Sequence, residues 1–148
     1  MPLNFDKIGD SNPANTLINP RDIFNVLSSK DAKYQYPRDV QADVWKEWYA
    51  RRNEVDLVVK MNTGGGKTVV GLLILKSCLN EQAGPAVYVA PDPYLVGQVV
   101  EEAKKLGLEV TTNKDSPRFL KGKAVLVVRI RAKITWTFGD FLSIINLV

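Results

Sequence analysis

The stretch that decides the fold runs from Lys60 to Gly71 and reads KMNTGGGKTVVG. A short apolar run rich in β-branched residues, 56–61, precedes the three glycines, and a longer Leu-rich run, 69–79, follows them. The first run is typical of a buried parallel strand, whereas the second is too long for a strand and favours a buried helix. The sequence therefore predicts a strand, a tight glycine turn and a helix at this point.

The glycines of this turn make it a candidate phosphate-binding loop. Gly64, Gly65 and Gly66 can adopt backbone angles closed to other residues, so phosphate oxygens can approach the amides. The first turn of the following helix offers unpaired N–H groups and a partial positive charge. Lys67 can then reach the phosphates, and the Thr68 hydroxyl can bind Mg²⁺. The alternative is a glycine turn that only lets the helix pack closely against the strand.

Strand and helix patterns alternate through the rest of the chain. Further strands are predicted at 86–90, 108–112 and 124–130, and a helix is predicted at 94–106, ended by Gly107. Upstream, one helix is expected to begin at Asn19 or Pro20 and another after Pro37. This order predicts an α/β fold with a parallel sheet and flanking helices. We expect residues 1–33 to be an N-terminal extension and residues 34–148 to be the domain.

The composition excludes several kinds of protein. The 148 residues include no histidine and one cysteine, Cys78, so a Cys/His zinc site, a Ser-His-Asp triad and an intramolecular disulfide are excluded. No apolar run approaches the roughly 20 residues that span a membrane, and the N-terminus lacks a signal-peptide pattern. We therefore expect no membrane partner and a cytoplasmic location.

Positive charge is concentrated in the second half of the chain. Residues 104–133 contain nine Lys or Arg and two Asp or Glu, whereas residues 1–103 contain 11 and 13. Such asymmetry indicates a surface that faces a polyanion, with a solvated lysine-rich face as the alternative. The segment that holds Lys114, Arg118, Lys121 and Lys123 is predicted to be a polar loop between Asn113 and Gly122.

Two further motifs flank the glycine loop. PRDVQ, at 37–41, has P-x-x-x-Q and R-x-x-Q spacing, and VYVAPDPYLVGQ, at 87–98, is a strand followed by a turn and a helix. With TGGGKT at 63–68 between them, these motifs resemble the N-terminal RecA-like lobe of superfamily 2 helicases and translocases. The resemblance covers residues 34 to about 112. Among DEAD/DEAH-box, restriction-enzyme and repair types, it looks closer to the last two than to strict DEAD-box proteins.

This resemblance implies a partial RecA-like P-loop domain that binds ATP and Mg²⁺. Gln41 would select adenine, with an exposed helix glutamine as the alternative, and Tyr34 or Tyr36 would stack on the base. Trp45 and Trp48 are expected to be core residues rather than base-stacking ones. The implied nucleotide ligands are Gln41, Thr63, Gly64, Gly65, Gly66, Lys67 and Thr68, with Lys67 and Thr68 catalytic and Thr68 the Mg²⁺ ligand. The implied nucleic-acid contacts, with DNA in the full-length context, are Pro91, Tyr94 and Gln98.

Several parts of a complete helicase motor are missing from the sequence. No Asp-Glu pair follows an apolar strand, Asp92 stands where threonine is usual, and a second RecA-like lobe does not fit. We therefore expect an ATP-binding part of a nucleic-acid helicase with little hydrolysis by itself. A partial lobe leaves sheet edges open, so we also expect marginal stability or association unless the tail adds a strand or helix.

Two alternatives from other classes stay open at this stage. One is a stand-alone P-loop regulator or small-molecule kinase, whose magnesium partner would be Asp56, Asp92 or Asp140. The other is an inert P-loop remnant or interaction module that no longer binds ATP.

Overall fold

A computed structural model describes residues 12–28, 30–130 and 144–147 of the chain. The helices are α1 (Pro20–Val26), α2 (Asp39–Ala50), α3 (Lys67–Asn80), α4 (Pro93–Leu106) and α5 (Pro117–Leu120), and short 3₁₀ turns cover Pro13–Asn15 and Ala32–Tyr34. The strands are β1 (Asp56–Val59), β2 (Val87–Ala90), β3 (Val110–Thr111), β4 (Val125–Arg129) and β5 (Ile144–Leu147). Helices and strands therefore alternate as predicted, and the α/β class is confirmed.

The described strands form two parallel sheets. One has the order β2-β4-β3, with Tyr88 opposite Val127 and Val110 opposite Val125. The other pairs β1 with β5, so that Leu57 lies opposite Ile145. The tail of the chain therefore adds a strand beside β1, which is one of the two outcomes expected to cover an open edge. The carboxyl end of β1, where a ligand site is favoured in such folds, leads directly into the glycine loop.

The core lies where α1, α2, α3 and α4 meet the strands. Trp45 and Trp48 of α2 are both buried, which confirms their predicted place in the core. The Trp45 ring packs against Phe24 of α1, with ring centroids 5.5 Å apart. Most of α3 is buried, as its Leu-rich sequence predicts. Because packing fixes the position of this helix, it also fixes the end of the glycine loop that leads into it.

Hydrogen bonds attach the segment before α1 to the last turns of α3. Asn80 donates to the backbone carbonyls of Ala14 and Leu17, at 2.8 and 2.6 Å. Ser77 donates to the Ile18 carbonyl. The described part of the predicted N-terminal extension thus packs through α1, whose N-cap is Asn19 as expected, and through these bonds.

Some element bounds differ from the predictions. β1 ends at Val59, and Met61 is buried in the core rather than closing the strand. β3 keeps only two residues of the predicted five. The predicted loop at 113–122 contains α5, because Pro117 favours a helix start and Phe119 is an apolar anchor that becomes buried. Cys78 packs against the core, and burial raises the pKa of its thiol to about 11, in keeping with a packing role.

Gly97 offers a test of helix propensity in α4. It lies mid-helix, is exposed, and a Cβ placed there would meet no atom within 4 Å. Gly97→Ala is therefore expected to raise the free energy of unfolding by about 0.5–1 kcal/mol in a urea titration. Gly107→Ala is the matched control, because Gly107 ends the same helix at a φ of 76° and alanine there should lower stability. A destabilised Gly97→Ala protein would contradict the helix geometry.

Candidate nucleotide-binding site

The glycine loop has the backbone geometry that the sequence predicts for an anion cradle. Gly64 and Gly66 have φ values of 80° and 82°, in the left-handed region that glycine occupies without strain. The Gly65 N–H donates to the Asn62 carbonyl at 3.0 Å, which closes a tight turn before α3 begins at Lys67. The loop is thus a folded turn with its own internal bond, rather than a bare connection.

The first turn of α3 is suited to an anion because no side chain caps it. Its N-cap is Gly66, and no acidic residue lies in the first turn. By contrast, Asn19 caps α1 and Asp92 caps α4 with side-chain oxygens. Uncapped N–H groups and the helix dipole together favour a negative ligand, and Lys67 is the first helical residue beside them.

Gln41 lies beside the loop and is only 5% exposed, so the alternative of an exposed helix glutamine is wrong. Its amide nitrogen donates to the Gly66 carbonyl at 3.3 Å, and its oxygen accepts from the Arg38 N–H at 3.0 Å. A glutamine amide has two N–H groups and two oxygen lone pairs, so each end retains capacity for another partner. Gln41 therefore holds the loop and keeps hydrogen-bonding capacity for one further partner at each end of its amide.

The contact between Gln41 and Gly66 makes a strong prediction for Gly66→Ala. A Cβ at Gly66 would overlap the Gln41 amide nitrogen and would also be strained at a φ of 82°. We expect a loss of about 2–4 kcal/mol in the free energy of unfolding, measured in urea without ligand. Gly64→Ala is the matched control: it has the same strain but open space around the Cβ, so about 1–2 kcal/mol is expected. Equal losses at the two positions would show that Gln41 does not restrict Gly66.

Thr68, the predicted magnesium ligand, is the second residue of α3. It lies near Tyr88 of β2: burial raises the pKa of the Tyr88 phenol, and the neighbouring Thr68 hydroxyl opposes the rise. Among the described residues, no group of three or more Asp, Glu, His or Cys side chains could hold a metal ion. The described residues therefore fit Mg²⁺ only if phosphate oxygens of a bound ligand supply most of its coordination, with the Thr68 hydroxyl as one protein ligand.

The two tyrosines before α2 are placed very differently. Tyr34 lies in the core, and its hydroxyl donates to Glu102 of α4. Tyr36 is 83% exposed. Tyr36 is thus the one of the two whose ring is open to a nucleotide base.

The predicted nucleic-acid residues are all exposed: Pro91 lies just before α4, and Tyr94 and Gln98 lie in its first two turns. Asp92 accepts from the Leu95 N–H at 2.8 Å, so it acts as the helix cap. Pro93 has no N–H, and these two facts reduce the number of amides this helix end can offer to phosphate. Any contact here must therefore depend mainly on the exposed side chains.

The predicted basic segment, with Lys114, Arg118, Lys121 and Lys123, is exposed around α5. Arg118 makes two hydrogen bonds with the Glu109 carboxylate, one of them 2.6 Å long. Arg118 thereby lowers the pKa of Glu109. The three lysines are thus the cations of this surface for which no ion pair is found within the described residues.

Two residues of the site were not assigned a role from the sequence. The R-x-x-Q spacing includes Arg38 and gives it no role of its own, yet its guanidinium donates to the Gly64 carbonyl. The sequence marks Tyr88 only as part of a strand, yet it lies near Thr68. The position of Arg38 three residues before Gln41 was the available signal, whereas nothing local marked Tyr88.

Comparison with known proteins gives a match to a family model. The family model for DEAD/DEAH box helicases matches residues 38–135, which include α2, the glycine loop and the strands from β1 to β4. No curated protein and no solved structure gives a significant match. Of the helices in the described residues, none is long and apolar enough to cross a membrane. The family match covers more than half of the chain, and the chain therefore belongs to the DEAD/DEAH box helicase family.

Proposed function

We propose that this chain is the ATP-binding part of a nucleic-acid helicase or translocase. The observation that carries the proposal is the uncapped start of α3 directly after two left-handed glycines, with Lys67 and Thr68 in its first turn. An anion placed there would meet unpaired amides, a helix dipole and a lysine together. Family membership makes a nucleoside triphosphate the natural anion.

The position of each residue in or beside the glycine loop supports its proposed role. Lys67 binds the terminal phosphates, and Thr63 and the glycines line the cradle. Gln41 selects adenine through its remaining hydrogen-bonding capacity. When bound, Mg²⁺ would neutralise phosphate charge, with Thr68 as its protein ligand.

The proposed nucleic-acid surface combines two exposed features. Pro91, Tyr94 and Gln98 offer an aromatic ring and an amide, and the lysines around α5 offer charge. Lysines bind nucleic-acid backbones largely through phosphate and salt release, without reading sequence. We propose DNA as the partner, contacted together with a second RecA-like lobe.

We further propose that the chain hydrolyses ATP slowly by itself. Phosphoryl transfer depends on positioning and on charge stabilisation, and an acidic pair normally contributes to both. Lys67 and Thr68 hold substrate, but neither is a base that positions the attacking water.

The stand-alone regulator or kinase is less well supported. Asp56 begins β1, whereas the glycine loop follows its other end, about 10 Å further along the strand. Asp92 is used as the cap of α4. Asp140, the third candidate partner for magnesium, lies outside the described residues.

The test is a calorimetric titration of the full 148-residue chain with a non-hydrolysable ATP analogue, with and without Mg²⁺. We expect saturable binding that Mg²⁺ strengthens, and steady-state ATP turnover close to the uncatalysed background. No binding heat at millimolar analogue would favour the inert remnant. Robust turnover by this chain would refute the proposal that it hydrolyses ATP slowly by itself.

A further inference from the structure

The start of α2 is bonded to the glycine loop at two separate carbonyls. Arg38, immediately before α2, donates from its guanidinium to the Gly64 carbonyl, 26 residues further along the chain. Gln41 donates to the Gly66 carbonyl and accepts from the Arg38 backbone N–H. Arg38, Gln41 and the loop thus form one connected set of bonds.

These bonds fix the direction of the loop amides as well as its carbonyls. In a trans peptide the carbonyl and the following N–H point in opposite directions, and the described chain contains no cis peptide. The Gly64 carbonyl is held by Arg38, and the Gly65 N–H on the same peptide is held by Asn62. The Gly66 carbonyl accepts from the Gln41 amide and from the Val70 N–H of α3, so the Lys67 N–H on the same peptide points in the opposite direction.

Restricting the backbone of the glycine loop matters because three consecutive glycines are unusually flexible. Ordering glycine backbone costs more conformational entropy than ordering any other residue. A loop that is ordered before binding spares the ligand that cost, so its affinity for phosphate rises. Arg38 is well suited to this role since a guanidinium supplies several N–H donors in a rigid plane.

We propose that Arg38 is a positioning residue that orders the phosphate loop, so that it acts on the phosphate half of the ligand and not on the base. This rests on the proposed function, because it assumes that the loop binds nucleotide. The proposal separates Arg38 from Gln41, which would contribute to both halves. It also predicts that a ligand with phosphates and no base depends on Arg38 as strongly as ATP does.

The test compares ATP analogue and inorganic tripolyphosphate on the full chain by calorimetry, for wild type, Arg38→Ala and Arg38→Lys. Arg38→Ala should weaken both ligands by the same factor, roughly 5- to 15-fold. Arg38→Lys should recover part of the loss for both, since it retains a charged donor. Arg51→Ala is the matched control, because it removes an exposed arginine near the other end of α2; it should change neither affinity more than about twofold.

A second measurement tests positioning without any ligand. Amide hydrogen exchange of the peptide that spans 60–68 should be several-fold faster in Arg38→Ala than in wild type, and unchanged in Arg51→Ala. This readout stays informative if Arg38→Ala lowers global stability, because exchange in α4 reports that loss separately.

The outcomes distinguish a failure of the role proposed for Arg38 from a failure of the proposed nucleotide binding. Loss of ATP affinity with tripolyphosphate affinity intact would overturn the inference and make Arg38 a base-contacting residue. Unchanged affinity and exchange in Arg38→Ala would overturn it outright. If wild type bound neither ligand, the proposed function would fail, and the inference would fall with it.

Discussion

Replacing Lys67 with alanine is expected to weaken ATP binding by roughly 30- to 150-fold and to leave the fold intact. Lys67 is the first residue of α3, directly after the left-handed Gly66. Its ammonium would meet the terminal phosphates, and a hydrogen bond to a charged group is worth about 2–3 kcal/mol. Because the side chain is not part of the apolar core, its truncation should change the free energy of unfolding by less than about 0.5 kcal/mol.

Lys60→Ala is the matched control for Lys67→Ala. Lys60 is an exposed lysine of the same stretch, between β1 and the glycines. It carries the same charge, so a general electrostatic attraction for ATP would weaken similarly in both variants. Calorimetric titration with the ATP analogue and Mg²⁺ distinguishes the two cases. Equal losses in Lys60→Ala and Lys67→Ala, or no loss in either, would contradict a phosphate site at the start of α3.

The strand, loop and helix around the glycines follow from local sequence. Val58 and Val59 end a β-branched run, and the Leu-rich run after Thr68 is too long to be a strand. The glycine conformations are also local, because only glycine occupies the left-handed region without strain. Lys67 and Thr68 could therefore be placed correctly from the sequence, at the start of the helix that the glycines precede.

Contacts between segments that are distant along the chain could not be predicted from the sequence. The bond from Arg38 to Gly64 and the bond from Gln41 to Gly66 cross 26 and 25 residues, and their side chains meet only because α2 packs on α3. No periodic pattern encodes which side chain of α2 reaches the loop. The contact of Tyr88 with Thr68 has the same origin, since it depends on how β2 lies against α3.

The starts of α3 and α4 are capped differently. Asp92 stands where the resemblance to superfamily 2 helicases implies a threonine, and its carboxylate caps α4 through the Leu95 N–H. Aspartate is among the best N-cap residues, so the substitution favours the helix at the expense of an anion site. The start of α3, where Gly66 provides no cap, keeps its amides available. The two helix starts therefore differ in capping: the Asp92 carboxylate occupies an N–H of α4, whereas Gly66 occupies none in α3.

Replacing Trp45 with alanine is expected to lower the free energy of unfolding by about 3–5 kcal/mol, measured in urea. Trp45 is fully buried between α1 and α3. Its indole N–H donates to the Val70 carbonyl at 3.3 Å, and its ring packs on Phe24. Since a small domain is stable by only about 5–15 kcal/mol, this loss would bring the chain close to unfolding at room temperature.

Trp45→Phe tests how much of this loss a smaller aromatic ring recovers, because it keeps a six-membered ring and removes the indole N–H together with the five-membered part of the indole. We expect Trp45→Phe to cost about 1–2 kcal/mol in the free energy of unfolding. The control is Val58→Ala, at a strand residue that is 69% exposed, which should cost less than about 0.5 kcal/mol.

Trp45 lies one turn after Gln41 on α2, so its loss should also loosen the glycine loop. ATP affinity should therefore fall in Trp45→Ala and persist in Trp45→Phe. Retained affinity in a folded Trp45→Ala protein would show that α2 holds the loop without this core contact.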